Sequence, residues 1–412
     1  MKSHQRYFPL FDKNNKLLPN FITISNMNLN ENNIRTGNET VLRARLEDAM
    51  FFYKEDLKEP FENKIEKLKR VTYFEEIGSI YDKTKRISKI AQKLNSLYNL
   101  EEKEVLRASS LCKADLVTNL VKEFTELQGE IGYYYSLKTN ESENIAYAIK
   151  EQYLPTGNND NAPSQPLSQI INFSDKLDNL VSCFALGKIP TGSKDPFSLR
   201  RQCLGIIRTC DKYKIGLNFN EMINASYDIL IEQKKLTSNK EETLDKIREF
   251  FSQRLKNELL DRGFKHDLVD SILDTHYYLS DLYATQEKLR VLANWEKEEA
   301  SKNVSMAFAR VIRIAKEKTN NEIDVNLFEK EEEKNLYNAF RLVKPDFEHH
   351  FNKKDFHSCL IILQNLVSPI NNFFDNVMIM VEDKDIKNNR LALLNEVKEM
   401  SLKIANMDKI IL

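Results

Sequence analysis

The amino-acid sequence predicts a mainly α-helical protein, on three observations. Its 412 residues contain only 10 Gly and 10 Pro, too few turn-formers for a fold of many short strands. Apolar residues recur at spacings of three and four along most of the chain. A β pattern is confined to its beginning.

There, Tyr7–Phe11 and Phe21–Ser25 read as two strands joined by the polar turn Asp12-Lys13-Asn14-Asn15. A lone two-stranded hairpin is barely stable, so residues 1–36 are expected to be the remnant of a larger β-containing domain. Asn38 is the expected N-cap of a helix carrying Leu42, Leu46, Ala49, Tyr53 and Leu57 on one face. A second helix is expected over about 83–98, with Ile87, Ile90, Ala91, Leu94 and Leu97 inward. A third, over about 101–124, is apolar nearly all round and is therefore expected at the centre. Gly157, Asn158, Asn159 and Pro163 mark a loop from Pro155 to Pro166, and a helix follows near 168–186. In the turn Pro190–Pro196, Asp195 is placed to cap a helix whose first residue is Pro196. Residues 37–215 thus read as one helical domain, 216–295 as a charged helical extension and 296–412 as a second helical domain. In the last helix Leu393, Val397, Met400 and Ile404 share a face.

Composition narrows the function. Lys and Arg number 61 against 62 Asp and Glu, a formal net charge of -1, so any contact with nucleic acid must come from local stripes. The five cysteines form no CxxC pair and lie among apolar residues, which reads as buried thiols in a reducing cytoplasm. No apolar run approaches the ~20 residues that span a bilayer, and no signal peptide opens the chain, so the expected location is cytoplasmic, with no membrane partner. None of the six histidines lies between residues 5 and 265. That interval excludes an imidazole-based metal or general-base site from the central helical domain. His349, His350 and His357 match no standard ligand spacing.

Four basic groups remain. Lys83, Lys85, Arg86, Lys89 and Lys93 occur without an acidic residue between them; Arg86, Lys89 and Lys93 share a stripe opposite much of the apolar face. That stripe is either an ordinary solvated face or a phosphate contact. Lys194 in the Pro190–Pro196 turn lacks the Walker pattern, and the turn is either a tight helix entry or a weak phosphate cradle. Arg200, Arg201 and Arg208 border a largely apolar helix, either paired with buried carboxylates or aimed at a ligand phosphate. Near the end, Arg310 and Arg313 face away from Val304, Phe308, Val311 and Ala315, a pattern that suits unstacked RNA bases.

Several segments, in order, carry a resemblance. They are His4–Pro9, Gly37-Asn38-Glu39 with Val41–Leu46, Tyr81–Thr84, Lys113–Thr118 with Glu126–Gly129, and Asp175–Asp178. Pro190–Phe197 running into Leu199-Arg200-Arg201 is the most specific; Phe373–Met378 and Asn389–Leu394 follow. Together they span nearly the whole chain, which resembles the beta subunit of the two-subunit bacterial glycyl-tRNA synthetases, without that family's N-terminal region. The resemblance implies a degenerate HD-type helical domain in which Cys112-Lys113 stand at the metal-binding His-Asp doublet, leaving Asp115 and Asp175 as a poor metal set. It also implies a C-terminal helical anticodon-binding domain similar to that of arginyl-tRNA synthetases, with tRNA contacts near Arg310, Arg313 and Arg390. Its further implication is a non-catalytic subunit that binds tRNA(Gly) inside an alpha2beta2 assembly. The alpha subunit would then use the ATP and Mg, with no cofactor on this chain. Two other readings stay open beside it: an HD-type metal-dependent phosphohydrolase, opposed by the histidine gap, and a helical scaffold without an RNA role.

Overall fold

A computed structural model describes residues 7–26, 30–157, 161–234, 236, 238–315 and 322–411. His4-Gln5-Arg6 and Asn158-Asn159 lie outside these residues. Strands β1 (Phe8–Phe11) and β2 (Leu17–Ile22) precede helix α1 (Glu31–Asp56). Next come α2 (Lys64–Lys67), the strand pair β3 (Thr72–Phe74) and β4 (Gly78–Ser79), α3 (Ile80–Leu94) and α4 (Glu102–Leu111). They are followed by α5 (Asn119–Glu123), α6 (Glu130–Lys138), α7 (Glu143–Glu151), α8 (Pro166–Ala185) and α9 (Leu199–Lys212). Then come α10 (Phe219–Gln233), α11 (Lys240–Asp261), α12 (His266–Leu273) and α13 (Leu282–Trp295). The chain continues with α14 (Glu299–Ile314), α15 (Glu331–Asn352), α16 (Phe356–Gln364), α17 (Val367–Asn376) and α18 (Lys384–Leu402). The mainly helical class read from the sequence is the class observed.

Contacts divide the described residues into two units. The first contains the chain up to Pro60 together with Thr118–Leu127. Its hairpin turn closes early: Asp12 Oδ1 accepts the N–H groups of Asn14 and Lys16 at 2.9 and 2.8 Å, so the second strand starts at Leu17 rather than Phe21. Helix α1 starts at Glu31, and Asn38 is inside it rather than capping it; its amide donates to Ile34 O at 2.8 Å and accepts from Tyr7 Oη at 2.9 Å. At the far end of α1, Asp56 accepts the N–H groups of Asn119 and Leu120 at 2.9 and 3.0 Å and so caps α5.

The second unit holds Phe61–Val117 and Gln128–Leu412. Its centre is α8, buried from Leu167 to Asp178, with α3, α4, α7, α9, α10 and α11 packed around it. The sequence reading gave this place to one helix over 101–124. The chain instead leaves the helix after Leu111, passes through a 3-10 turn at Ala114–Val117, and restarts where the Thr118 side chain accepts Val121 N–H. Residues 216–295 pack inward too: Phe219 stacks on Phe251 at 3.8 Å, and Phe184 meets Phe250 at 5.3 Å. Towards the end of the chain α14 packs on α17 and α18, and α15 packs on α16, α17 and α18.

Two local devices set the side chains discussed below. Ser79 and Asp82 form a capping box, with Ser79 Oγ accepting Asp82 N–H at 3.2 Å and Asp82 accepting Ser79 N–H at 2.9 Å. This starts α3 at Ile80 and turns Lys83 and Arg86 towards α8. At α9, Asp195 does cap, accepting the N–H groups of Leu199 and Arg200 at 2.9 Å each. The helix nevertheless begins at Leu199 and not at Pro196, because Ser198 is left-handed (φ 54°) and interrupts it.

Candidate nucleic-acid interface

Of the positions that the resemblance assigns to a degenerate HD-type site, Lys113 and Asp175 are joined, and lysines hold the carboxylate. Asp175 on α8 receives Lys83 Nζ on Oδ1 and Lys113 Nζ on Oδ2, both at 2.9 Å. One turn on, Asp178 takes Lys83 Nζ at 3.0 Å and Arg86 Nε at 2.5 Å. All five side chains are buried. Burial alone would raise the Asp175 pKa; the ammonium groups of Lys113 and Lys83 outweigh it and hold the carboxyl below the usual range. Cys112 is a buried thiol pushed up to about 12 by desolvation, so it is not a thiolate ligand. Burial raises Asp115 to about 6 while its carboxylate accepts Gly129 N–H at 2.5 Å. Among the described residues no three His, Cys, Asp or Glu side chains are grouped to hold a metal. A divalent cation at Asp175 would have to displace two tethered ammonium groups, so this set does not suit one.

Lys176, buried beside Asp175, donates to Leu154 O at 2.6 Å. Desolvation lowers it to about 7, against the pull of Asp175. A folded-state pKa below the ordinary lysine value gives a stability contribution that is complete above that value and lost as pH falls towards 7. The stability of the protein relative to Lys176→Met is therefore expected to rise from about pH 7 to about pH 10 by a few kcal/mol. Urea denaturation at each pH measures it, and a difference independent of pH rules it out.

The basic stripes separate into buried and exposed members. Arg86 is 1% exposed, held by Asp178 and by Gln233 Oε1 at 2.7 Å. Its expected place on a phosphate-facing stripe is corrected, because α10 packs on α3 and covers that face. Lys89 and Lys93 are exposed, and Lys89 pairs with Glu232 at 2.7 Å. Arg390 is corrected in the same way: 3% exposed, it binds Glu333 Oε1 at 2.9 Å, Glu329 at 3.0 Å and Met378 O at 3.0 Å. Glu333 in turn accepts the Lys330 N–H that opens α15, so Arg390 ties α18 to the start of α15. Arg208 resolves to the paired alternative, forking onto Glu258 at 3.0 and 2.8 Å. Arg200 and Arg201 reach backbone and hydroxyl oxygens instead: Arg200 donates to Gly192 O at 2.7 Å, and Arg201 to Ser198 Oγ at 3.0 Å and to Thr156 O. Lys194 is exposed in the turn above them.

Arg310 and Arg313 stay on the outer face of α14. The Arg310 guanidinium lies 4.6 Å from the centroid of the Phe374 ring, with only long contacts to Asn371 (3.4 Å) and Asp375 (3.5 Å). Arg313, 65% exposed, donates to Asp408 at 2.6 Å. Between them a shallow cavity of about 300 Å³ is bordered by Asn303, Met306, Asn371 and Asp408, and Met306 is 56% exposed at its rim. Two guanidinium groups, an aromatic face and a flexible apolar side chain can together stack a splayed base and bind its phosphate. Phe374 was legible only within the Phe373–Met378 resemblance; its stacking on Arg310 joins residues too distant in sequence for periodicity to connect.

Arg310, Arg313 and Phe374 lie in a segment, residues 304–405, that matches the model of the DALR anticodon binding domain. Residues 1–274 match the model described as glycyl-tRNA synthetase beta subunit. The chain is 40% identical over 414 positions to the glycine–tRNA ligase beta subunit of Clostridioides difficile, and 38% identical over 417 to that of Bacillus subtilis. In both comparisons the match covers 100% of this chain and 59% of the relative, so the chain spans about three fifths of their length. The chain belongs to the glycyl-tRNA synthetase beta subunit family. Among the described residues no helix is long and apolar enough to cross a membrane.

Proposed function

We propose that this chain is a tRNA-binding, non-catalytic part of a glycine–tRNA ligase beta subunit, reading the anticodon through α14 and α17. The observation that carries this is the stack of exposed Arg310 on half-buried Phe374, with exposed Arg313 beside it, inside the segment that matches an anticodon-binding domain. The names of its relatives support tRNA(Gly) as the RNA and an alpha subunit as the partner; the alpha2beta2 stoichiometry and a cytoplasmic location are part of the same proposal. In this reading ATP and Mg belong to the alpha subunit, as the resemblance implies, and Asp175, already held by Lys83 and Lys113, does not suit a metal on this chain.

The test is a titration of labelled tRNA(Gly), with and without altered anticodon bases, at two salt concentrations. Arg310→Ala and Phe374→Ala are each expected to weaken binding about tenfold, ~1.4 kcal/mol, with the helical circular dichroism unchanged. Arg313→Ala is expected to act in the same direction and to reduce the salt dependence. Binding indifferent to the anticodon refutes the anticodon assignment. Aminoacylation by this chain alone is expected to be nil.

A further inference from the structure

Most buried or half-buried arginines in the second unit face a carboxylate: Arg86 with Asp178, Arg107 with Glu141, Arg208 with Glu258, Arg290 with Asp211, Arg390 with Glu333. At the entry to α9 the pattern stops. Arg200 and Arg201 on α9 and Arg254 on α11 have no ion-pair partner among the described residues, and neither has Lys194 in the adjoining turn. Arg254 lies over the Phe250 ring at 4.6 Å and donates to Gln253 at 3.1 Å. Its Nε is buried with no hydrogen-bond partner. Burial, and next the nearby charge of Arg200, lower the Arg254 pKa against a weaker opposing pull from Asp195, so two like charges approach each other with no ion pair to either among the described residues.

The turn forms no ion pair with these cations among the described residues. Its one carboxylate, Asp195, spends both oxygens on the N–H groups of Leu199 and Arg200. The backbone there is held in a costly shape: Gly192 and Ser198 are both left-handed, at φ 49° and 54°. For a serine that conformation costs on the order of 1 kcal/mol. It keeps Ser198 Oγ under the Arg201 guanidinium and leaves Gly192 O for Arg200. Beside the cations Phe197 is 38% exposed and meets Phe74 edge-on at 5.3 Å, with Lys188 over the Phe74 ring at 5.3 Å. Cations interleaved with accessible aromatic edges fit a nucleic-acid strand better than a free inorganic ion.

We propose that Lys194, Arg200, Arg201 and Arg254 form a second RNA contact, a site for backbone phosphates distinct from the Arg310–Phe374 surface. The choice of RNA as the source of phosphate rests on the tRNA-binding reading above; the anionic chemistry of the site does not. The site reads no base, so it contributes affinity and orientation rather than anticodon discrimination.

The test uses Lys194→Gln combined with Arg254→Gln, since neither side chain holds a backbone carbonyl in place; an unchanged melting temperature checks the fold. With tRNA(Gly) and salt varied between about 50 and 200 mM, the double variant is expected to bind about 10- to 100-fold more weakly. The slope of log K against log salt is expected to fall by about 2, and discrimination against altered anticodons to persist. Wild-type slope and affinity in the variant overturn the site while leaving the anticodon surface untouched. Should the parent chain bind no tRNA, the tRNA reading fails by itself and inorganic phosphate decides the site. Thermal stabilisation by phosphate that is lost in the double variant upholds it, and an equal response of both proteins overturns it.

Discussion

Asp175→Ala is expected to destabilise the second unit by about 3–5 kcal/mol, because it strips the shared carboxylate from two buried ammonium groups at once. Among the described residues Lys113 would keep no ion pair, only the more distant charge of Asp115, and Lys83 would keep the Asp178 pair, which Arg86 already engages. Urea denaturation followed by circular dichroism measures the loss. The sign of the result discriminates sharply. In an empty metal site, carboxylates repel one another, and removing one relieves strain; here removal strands positive charge in a dry interior. A loss below about 1 kcal/mol would mean that the lysines do not neutralise Asp175 in solution. Arg208→Ala serves as the scale: its side chain is 40% exposed and Glu258 keeps Arg262, so it is expected to cost far less.

Arg390→Ala is expected to cost a similar 3–5 kcal/mol, and for the same reason. Glu333 is 0% exposed and would be left as an uncompensated buried carboxylate at the first turn of α15. Binding of RNA would then disappear along with helical signal in the C-terminal segment, unlike the Arg310→Ala variant, which loses binding while folded. A compensating pair makes the distinction direct. Arg390→Met with Glu333→Leu replaces the ions by apolar groups of comparable length and is expected to recover most of the stability. If that pair folds well and still loses RNA affinity, Arg390 touches RNA after all.

These two arginines also mark the limit of what a sequence reveals. Helical periodicity placed most of the elements, and it put Arg310 and Arg313 on an outer face where they are found. It assigned Arg86 to an outer face by the same rule and failed, because periodicity defines a side of a helix but not what packs against that side. For Arg86 the covering element is α10, more than a hundred residues away in sequence. The split among Arg200, Arg201 and Arg208 was likewise undecidable, since the deciding carboxylate, Glu258, comes from α11. The break between α4 and α5 carries neither Gly nor Pro; it falls where Thr118 caps α5 and Lys113 reaches Asp175. Within the central region the histidine gap was a stronger guide, because an absent residue type excludes a site whatever the packing.

The lysine-filled carboxylates of α8 have a consequence for where this protein can work. A bound ion can be withdrawn by a chelator or run short when supply falls, whereas Lys83 and Lys113 are part of the polypeptide and arrive with it at synthesis. The central helices are therefore expected to assemble without a metal, with the same melting temperature in EDTA as in excess magnesium.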